Sequence, residues 1–279
     1  MNNSNWHIED FDLKLVKQIA EEFSLPQSIA KIMSLRGIVD RNISSNFFYP
    51  DNQKLHDPYL LKDMDKAVDA VINHIDKKKK IMIYGDYDVD GVSSTSMLYN
   101  FFQSIDVDVS YYIPHRDIDG YGLSNRGIDF AKSIGASLII TCDCGINAFS
   151  QIEYAKNMEI NVIVTDHHKP EDNIPQCLAV VNPNRLDCLY PFKGLCGAGV
   201  AFKLAIAISD KLSIDLEKVW KYADLVTLGI AADIVPMIDE NRIISHFGLQ
   251  QIRQGDNLGL RLLIESSKIN IDKIGIGQI

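Results

Sequence analysis

The sequence has no segment that would direct the chain into or across a membrane. Its first residues, Met-Asn-Asn-Ser-Asn-Trp-His, lack the basic stretch and following apolar stretch of a secretory signal. All its apolar runs are shorter than the roughly 20 residues that an α-helix needs to cross a bilayer. We therefore expect a cytoplasmic protein with no membrane partner.

Cysteine is scarce, with five residues among 279, and the five share no repeated spacing. An odd number of unevenly placed cysteines predicts reduced thiols and not a disulfide framework. Cys142 and Cys144 flank Asp143. Zinc ligation by this pair is disfavoured because no second Cys/His pair has a matching spacing.

Basic residues are outnumbered by acidic ones, 28 to 37, which gives a net charge of −9. This balance argues against nucleic-acid binding by bulk electrostatics, since such binding depends on many lysine and arginine contacts with phosphates. The net charge remains compatible with a local basic groove over an acidic site whose charge is neutralised by metal ions.

Short apolar runs alternate with helical patterns through the middle of the chain. The predicted strands cover residues 81–84, 107–113, 138–141, 162–165 and 178–181. The predicted helices between them cover residues 92–103, 127–133 and 148–157. This alternation predicts βαβ units. The expected fold class is α/β, with a mostly parallel sheet of five or more strands and helices on both faces.

Helical patterns dominate on both sides of this core. Short helices are predicted within residues 7–50, and one more within 65–76. Beyond Gly197 the predicted helices cover residues 200–208, 216–231, 241–254 and 258–266. We predict three regions: a helical N-terminal cap at 1–76, a catalytic α/β domain at 77–235 and a helical C-terminal part at 236–279.

Three aspartates occupy alternate positions directly after the first predicted strand: Asp86, Asp88 and Asp90. A helix N-cap would explain one or two of them, but not three. The calcium loop of an EF-hand is excluded, because its twelfth position, which must be a glutamate, is Met97. Carboxylates at the carboxyl end of a parallel strand repel one another unless a cation neutralises them, so the pattern predicts a metal site.

Other strand ends carry similar chemistry. Asp143 follows the third predicted strand, Asp166-His167-His168 follows the fourth, and Asp233 ends an apolar helix. Oxygen-rich ligation with imidazole favours Mn²⁺ or Mg²⁺, and the carboxylates suffice for two ions with one aspartate bridging them. A two-ion site is typical of phosphoester or phosphoanhydride hydrolysis.

A second set of residues could hold a phosphate. His115 and Arg116 lie in a glycine-containing loop after the second strand, and Arg185 follows the fifth. Gly197 and Gly199 open a helix whose backbone N–H groups could cradle an anion. The alternative for this Gly-Ala-Gly turn is that it allows close packing.

The acidic motifs together resemble those of the DHH phosphoesterase superfamily, and their surroundings resemble its RecJ-like exonucleases. The supporting stretches are Leu35-Arg-Gly-Ile38, Tyr112-Ile-Pro-His-Arg116, Gly120-Tyr-Gly122, residues 190–200 and Ala231-Ala-Asp-Ile-Val-Pro236. The resemblance implies five metal ligands: Asp86, Asp88, Asp143, His167 and Asp233. It also implies that Asp143 bridges two ions, that His168 contacts the scissile phosphate or orients the attacking water, and that Asp90 and Asp166 orient the ligands. Some relatives carry a histidine in the first strand, where this chain has Met82 and Tyr84.

The function implied by the resemblance is metal-dependent 5′→3′ hydrolysis of single-stranded DNA in repair and recombination. RecJ-like proteins continue into a linking helix, a DHH-associated domain with a Gly-Gly-Gly-His motif and usually an OB-fold. This sequence stops at Ile274-Gly-Ile-Gly-Gln-Ile279, about where the linking helix is expected to begin, and has no Gly-Gly-Gly-His motif. We therefore expect weak, distributive hydrolysis. Expected partners are single-stranded DNA, a separate clamp domain, a single-strand-binding protein or a helicase. The alternatives are a phosphodiesterase for oligonucleotides or cyclic dinucleotides, and a non-catalytic replication-fork scaffold.

Overall fold

The computed structural model describes residues 9–39 and 41–279. Its backbone contacts divide the chain into two units, one that ends at Lys54 and one that covers Leu55–Ile279. This division lies before residue 76, where the sequence placed the first domain boundary. The three-region division stays a prediction.

The first unit contains three short helices: α1 (Leu13–Glu22), α2 (Gln27–Leu35) and α3 (Arg41–Phe48). The carboxylate of Asp12 caps α1 by accepting from the N–H groups of Lys14 and Leu15. A small core holds the unit together: Val16, Ile19, Ala30, Met33 and Ile38. The short helices predicted within residues 7–50 are confirmed here, although residues 1–8 and Asp40 lie outside the described residues.

The second unit is organised around one sheet of five parallel strands. They are β1 (Ile81–Gly85), β2 (Val109–Tyr112), β3 (Leu138–Cys142), β4 (Asn161–Thr165) and β5 (Ala179–Val181). The strand order is β2-β1-β3-β4-β5, and every pair is parallel. β1 and β3 are buried along their whole length, which is why they read as continuous apolar runs. The predicted parallel sheet is confirmed.

Helices cover both faces of this sheet, as predicted. Ile81 and Ile83 point into a large core, and the helices that pack in it are α4 (Met64–Asp76), α5 (Val89–Gln103) and α8 (Gly197–Lys211). Met82 and Tyr84 point into a smaller core, formed with α6 (Asn125–Ser133) and α7 (Phe149–Asn157). The period-2 alternation of side chains along β1 thus separates the two cores.

Four more helices complete the unit: α9 (Glu217–Trp220), α10 (Ala223–Ala232), α11 (Asp239–Gln254) and α12 (Leu258–Ser266). The single helix predicted at 216–231 is wrong, because it is interrupted between α9 and α10. In a continuous helix the carbonyl of Trp220 would accept from the N–H of Asp224. Both groups bond instead to the side-chain amide of Gln251, at 2.7 and 3.2 Å. An amide from α11 therefore replaces the helical bond.

A buried ion pair joins α8 to α11. Lys203 and Glu240 are both fully buried, with Nζ 2.8 Å from Oε1. Tyr190 donates to the second carboxylate oxygen at 2.5 Å. Because both charged groups are satisfied, the pair sets the position of α8, whose first residues reach the site described below.

None of the helices among the described residues is long and apolar enough to cross a membrane.

Candidate metal centre

The sheet register brings the predicted acidic residues together. Gly85, Cys142 and Thr165 end three neighbouring strands at the same level. Asp86 and Asp143 follow at once, and their N–H groups continue the ladder by donating to the carbonyls of Cys142 and Thr165, at 3.3 and 3.0 Å. Carboxylates from three strand ends therefore converge on one edge of the sheet.

Three groups of potential ligands lie at this edge, and within each group the ligand atoms are within 4.8 Å of one another. The groups are Asp86/Asp88/Asp143, Asp143/His167/His168 and Asp90/His167/Asp233. Asp143 and His167 each belong to two groups. Shared ligands at this spacing are the arrangement expected for two neighbouring ions. We call the residues of these groups the metal centre.

Three buried atoms of the metal centre lack a hydrogen-bond partner: Oδ2 of Asp86, Oδ1 of Asp143 and Nε2 of His167. Nε2 of His167 lies 3.1 Å from Oδ1 of Asp143 and 3.6 Å from Oδ2 of Asp233, without a hydrogen bond to either. Leaving buried polar atoms unpaired costs about 1–3 kcal/mol each. Two carboxylate oxygens and an imidazole nitrogen are hard to borderline donors, so the residues present fit Mn²⁺ or Mg²⁺.

Burial disfavours the ionised form of the carboxylates in the metal centre when no cation is bound. It raises the pKa of Asp143 to about 10, and the neighbouring charges of Asp90 and Asp88 add to the effect. Burial also raises the pKa values of Asp86 and Asp90. A divalent ion would reverse this balance by favouring the charged forms.

Asp166 holds the two histidines in place. Its Oδ1 accepts from Nδ1 of His168 at 2.7 Å and from the N–H groups of His167 and His168, and its Oδ2 accepts from the N–H of Ile146. Burial acts to raise the pKa of Asp166, but these bonds outweigh it and the pKa is lowered. The hydrogen bond to Asp166 in turn raises the pKa of His168. This geometry is consistent with an orienting role for Asp166.

Asp90 is held by the start of α8. The N–H groups of Gly197 and Ala198 donate to its Oδ2 and Oδ1 at 2.6 and 2.9 Å. A Cβ on Gly197 would lie 2.5 Å from Oδ1 of Asp143. The turn therefore allows close packing, and its first N–H groups bind Asp90. The N–H of Gly197 is therefore not open to a phosphate, whereas the predicted phosphate contact of Gly199 stays a prediction.

Arg185 is also engaged within the protein. Its guanidinium donates to Asp63 at 2.6 Å, to both carboxylate oxygens of Asp187 and to the carbonyl of Val180. Only 7% of the side chain is exposed. The expectation that Arg185 contacts a substrate phosphate is therefore corrected: the residue forms a structural ion pair.

His115 and Arg116 remain open on the loop between β2 and α6. The N–H of His115 donates to Oδ2 of Asp119 at 2.7 Å, which organises the loop. The guanidinium of Arg116 lies 5.6 Å from the ring centroid of Tyr87. Both side chains are exposed, so their predicted contact with phosphate stays a prediction.

Two aromatic residues near the metal centre were not singled out from the sequence. The hydroxyl of Tyr121 lies 3.2 Å from Nε2 of His168, and its ring packs edge-on against that of Tyr87, with the centroids 6.3 Å apart. The signal that could have found Tyr121 is its position between two glycines, Gly120 and Gly122, which both have positive φ. Together with Arg116, which lies over the ring of Tyr87, these rings form a line of contacting groups that begins at His168.

The stability of the metal-free protein is expected to fall as the pH rises from 6 to 8. Asp143, Asp86, Asp90 and His168 all have raised pKa values in the folded chain. Where only the folded state keeps a proton, stability decreases by about 1.4 kcal/mol per pH unit for each such proton. For Asp143 this window runs from about pH 4 up to its folded pKa of about 10.

Urea unfolding in the presence of a chelator at pH 6, 7 and 8 measures this, and we expect a total loss of about 1–3 kcal/mol. With Mn²⁺ the trend should reverse, because metal binding requires deprotonated ligands. A metal-free stability that is constant or rises over this range would contradict the prediction.

Comparison with known proteins agrees with this geometry. The N-terminal domain model of the DHH family matches residues 80–230. The single-stranded-DNA-specific exonuclease RecJ of Bacillus subtilis is 39% identical over 262 residues, which are 94% of this chain and 33% of the relative. RecJ of Escherichia coli is 36% identical, over 78% of this chain and 40% of the relative.

Solved structures give the same result. RecJ of Thermus thermophilus in complex with Mn²⁺ superposes with a TM-score of 0.77 and 27% identity, over 93% of this chain and 36% of that one. A second exonuclease RecJ bound to manganese gives a TM-score of 0.67 and 34% identity, over 74% of this chain and 52% of that one. The chain thus spans roughly a third of the Bacillus subtilis relative's length. Because the family model covers more than half of the residues and the acidic motifs meet at one sheet edge, the chain belongs to the DHH family.

Proposed function

We propose that this chain is the catalytic part of a RecJ-like nuclease, a phosphodiesterase that hydrolyses single-stranded DNA with two divalent ions, Mn²⁺ or Mg²⁺. The observation that carries the proposal is the set of unpaired buried ligand atoms on Asp86, Asp143 and His167. Relatives named as single-stranded-DNA-specific exonucleases, and RecJ structures with Mn²⁺ or Mg²⁺, support it. A 5′→3′ direction and a role in repair and recombination are part of the same proposal.

In this proposal each residue of the metal centre has a defined task. Asp86, Asp88 and Asp143 would hold one ion, and Asp143, His167 and Asp233 would hold the other, with Asp143 shared between the two sites. Ions held there would stabilise the charge on the phosphate and activate a water molecule. Asp88 also accepts from the N–H of Gly91 at 2.9 Å, which caps α5 and restricts the orientation of its carboxylate.

His168 is proposed to contact the scissile phosphate. Its Nδ1 is bonded to Asp166, so its Nε2 is the nitrogen available to the substrate. The hydroxyl of Tyr121 approaches this same nitrogen in the free protein. Asp90 and Asp166 are proposed to orient the ligands, Asp90 through its bonds to the start of α8 and Asp166 through the imidazole of His168.

The line formed by Tyr87, Tyr121 and Arg116 supports a single-stranded substrate. Single-strand sites combine aromatic side chains, on which bases stack, with cations that follow the backbone. Tyr121 is 60% exposed and Arg116 lies over Tyr87. Arg185 and Lys193 are engaged by protein groups, which makes them unsuitable as phosphate contacts. A single-strand-binding protein, a helicase and a clamp domain are proposed as partners.

The function is tested by following the Mn²⁺-dependent degradation of a long 3′-labelled single strand, with product lengths resolved over time. We expect slow, distributive hydrolysis that leaves many intermediates, together with little cleavage of duplex DNA. A cyclic dinucleotide or a short oligonucleotide hydrolysed in preference to the long strand would favour the alternative phosphodiesterase. No hydrolysis of any phosphodiester would favour the non-catalytic scaffold.

Binding of the same strand is expected to be weak and only modestly salt-dependent. Each phosphate contact contributes about −0.7 to the slope of log K against log salt for single strands, so two contacts, from His115 and Arg116, should give a slope of about −1.4. We expect Arg116→Ala to lower the magnitude of this slope by about 0.7. Arg261→Ala, an exposed arginine on α12, is the matched control. Nanomolar affinity with a steep slope would contradict this prediction.

A further inference from the structure

A cavity of about 220 Å³ opens beside the metal centre. Asp166 and His168 border it on the side of the centre. Its other walls include Tyr121, Leu123, Ile146, Asn147, Ala148 and Gln151. Sites for drug-sized ligands are usually about 300–1,000 Å³, and a water molecule takes about 30 Å³ of liquid volume. The cavity therefore has room for one flat ring system and not for a whole nucleotide.

The walls of this cavity are mainly apolar, with an aromatic ring at the mouth. Leu123 and Ile146 are buried, with 3% and 2% of their surface exposed. The ring of Tyr121 stands edge-on to that of His168, with the centroids 6.2 Å apart. A buried aliphatic floor with an exposed aromatic wall suits a planar ring that stacks on one side.

Two amide side chains supply the polar edge of the cavity. Oδ1 of Asn147 accepts from the N–H of Glu171 at 3.1 Å, and Oε1 of Gln151 accepts from the hydroxyl of Ser150 at 2.9 Å. Their carbonyl oxygens are thus occupied, which leaves the two NH₂ groups as donors. A ligand in the cavity should therefore offer hydrogen-bond acceptors.

Charge disfavours a phosphate in this cavity. No lysine or arginine occurs among its lining residues, all of which belong to the described part of the chain, and the carboxylate of Asp166 borders it. An anion there would meet the carboxylate of Asp166 and no lysine or arginine to compensate it. A neutral ring with acceptor atoms meets neither difficulty.

We propose that this cavity receives a nucleobase adjoining the scissile phosphate. The inference rests on the proposed function, because it assigns a subsite beside the same metal centre. The base stacks on Tyr121 and accepts hydrogen bonds from Asn147 and Gln151. All four DNA bases carry ring-nitrogen or carbonyl acceptors. The subsite therefore favours a nucleotide with a base over an abasic residue and has little preference among the four bases.

The test uses short substrates, so that it does not depend on binding of long strands. The Mn²⁺-dependent hydrolysis of the dinucleotide d(TpT) is compared with that of two dinucleotides in which a tetrahydrofuran abasic residue replaces either nucleoside. Methyl p-nitrophenyl phosphate, which has no base, reports on the metal centre of each protein. We expect one of the abasic dinucleotides to show a KM at least about tenfold above that of d(TpT), the effect typical of one stacked base.

Gln151→Trp fills the cavity and should abolish this preference, whereas Gln151→Ala should reduce it by removing one donor. Glu153→Trp is the matched control, since Glu153 is an exposed residue on the same helix that does not line the cavity, and it should keep the preference. Equal KM values for the three dinucleotides, or a preference that survives Gln151→Trp, would overturn the inference and leave the proposed function intact. A preference that depends on a 5′-phosphate and not on the base would also overturn it, in favour of an anion site. If the wild-type chain cleaves the long single strand but neither the dinucleotides nor the methyl ester, the inference fails and the proposed function stands. If it cleaves none of these substrates, both fail.

Discussion

Asp143→Asn is expected to lower Mn²⁺-dependent hydrolysis by about a thousandfold or more while the fold is retained. Asp143 belongs to two of the three ligand groups, so its loss removes a donor from both proposed ion sites. A bound metal contributes several kcal/mol of transition-state stabilisation, and about 4 kcal/mol corresponds to a thousandfold in rate. Asparagine has nearly the shape of aspartate and tolerates the positive φ of 61° at this position.

The same substitution is expected to leave the metal-free protein as stable as the wild type, or more stable by about 1–3 kcal/mol. Burial opposes the ionisation of Asp143, and its Oδ1 makes no hydrogen bond, so a neutral amide relieves an unfavourable interaction. Steady-state hydrolysis at saturating Mn²⁺ and urea unfolding in a chelator measure the two effects.

Asp224→Asn is the matched control for this substitution. Asp224 is a buried aspartate of α10 that accepts hydrogen bonds from its neighbour's N–H and from Asn257, and it belongs to none of the ligand groups. Burial raises its pKa too, so the control also removes a buried carboxylate. It should keep normal hydrolysis. Near-normal hydrolysis by Asp143→Asn would rule out the bridging role.

The parallel sheet and the place of the metal centre could be predicted from local sequence patterns. β1 and β3 are buried on both faces, so each reads as an apolar run that ends where acidic residues begin. Because carboxyl ends of parallel strands lie at one edge, Asp86, Asp143 and Asp166 had to meet once the strands were neighbours. In the folded protein these three strands are neighbours, in the order β1-β3-β4.

Contacts between distant parts of the chain could not be predicted in this way. Arg185 looked available for a phosphate, but its partner Asp63 lies 122 residues earlier in the sequence. The helix start at Gly197 looked open to an anion, but Asp90, 107 residues earlier, occupies it. Whether a charged group is free depends on the residues that contact it in the folded protein. Secondary-structure propensity and residue spacing do not identify these residues.

The same limit explains the interrupted helix and the missed aromatic residues. The break between α9 and α10 depends on the amide of Gln251, which the local apolar pattern does not reveal. Tyr87 and Tyr121 come from different loops and meet only in the folded protein. Tyr121 contacts His168 and Tyr87 contacts Tyr121, whereas the linear sequence shows only two separate tyrosines.

Saturating Mn²⁺ is expected to raise the melting temperature of this chain by about 5–10 °C. A ligand that binds only the folded state stabilises it by about 2.7 kcal/mol at one hundred times its dissociation constant. For a domain of 150–250 residues, 1 kcal/mol corresponds to about 2–4 °C. The effect should increase from pH 6 to pH 8, because the protons held by the metal-free carboxylates leave on binding.

Asp86→Ala/Asp233→Ala should remove most of this shift, because it takes one ligand from each proposed ion site while leaving the bridging Asp143 in place. Asp172→Ala/Asp256→Ala is the matched control: it also removes two carboxylates, but both are exposed and neither belongs to a ligand group. Thermal unfolding with and without Mn²⁺ measures all three proteins. If the Asp86/Asp233 variant keeps the wild-type shift, the ions bind elsewhere on the chain. If the control loses the shift as well, the stabilisation comes from general attraction of cations to an acidic protein and not from the metal centre.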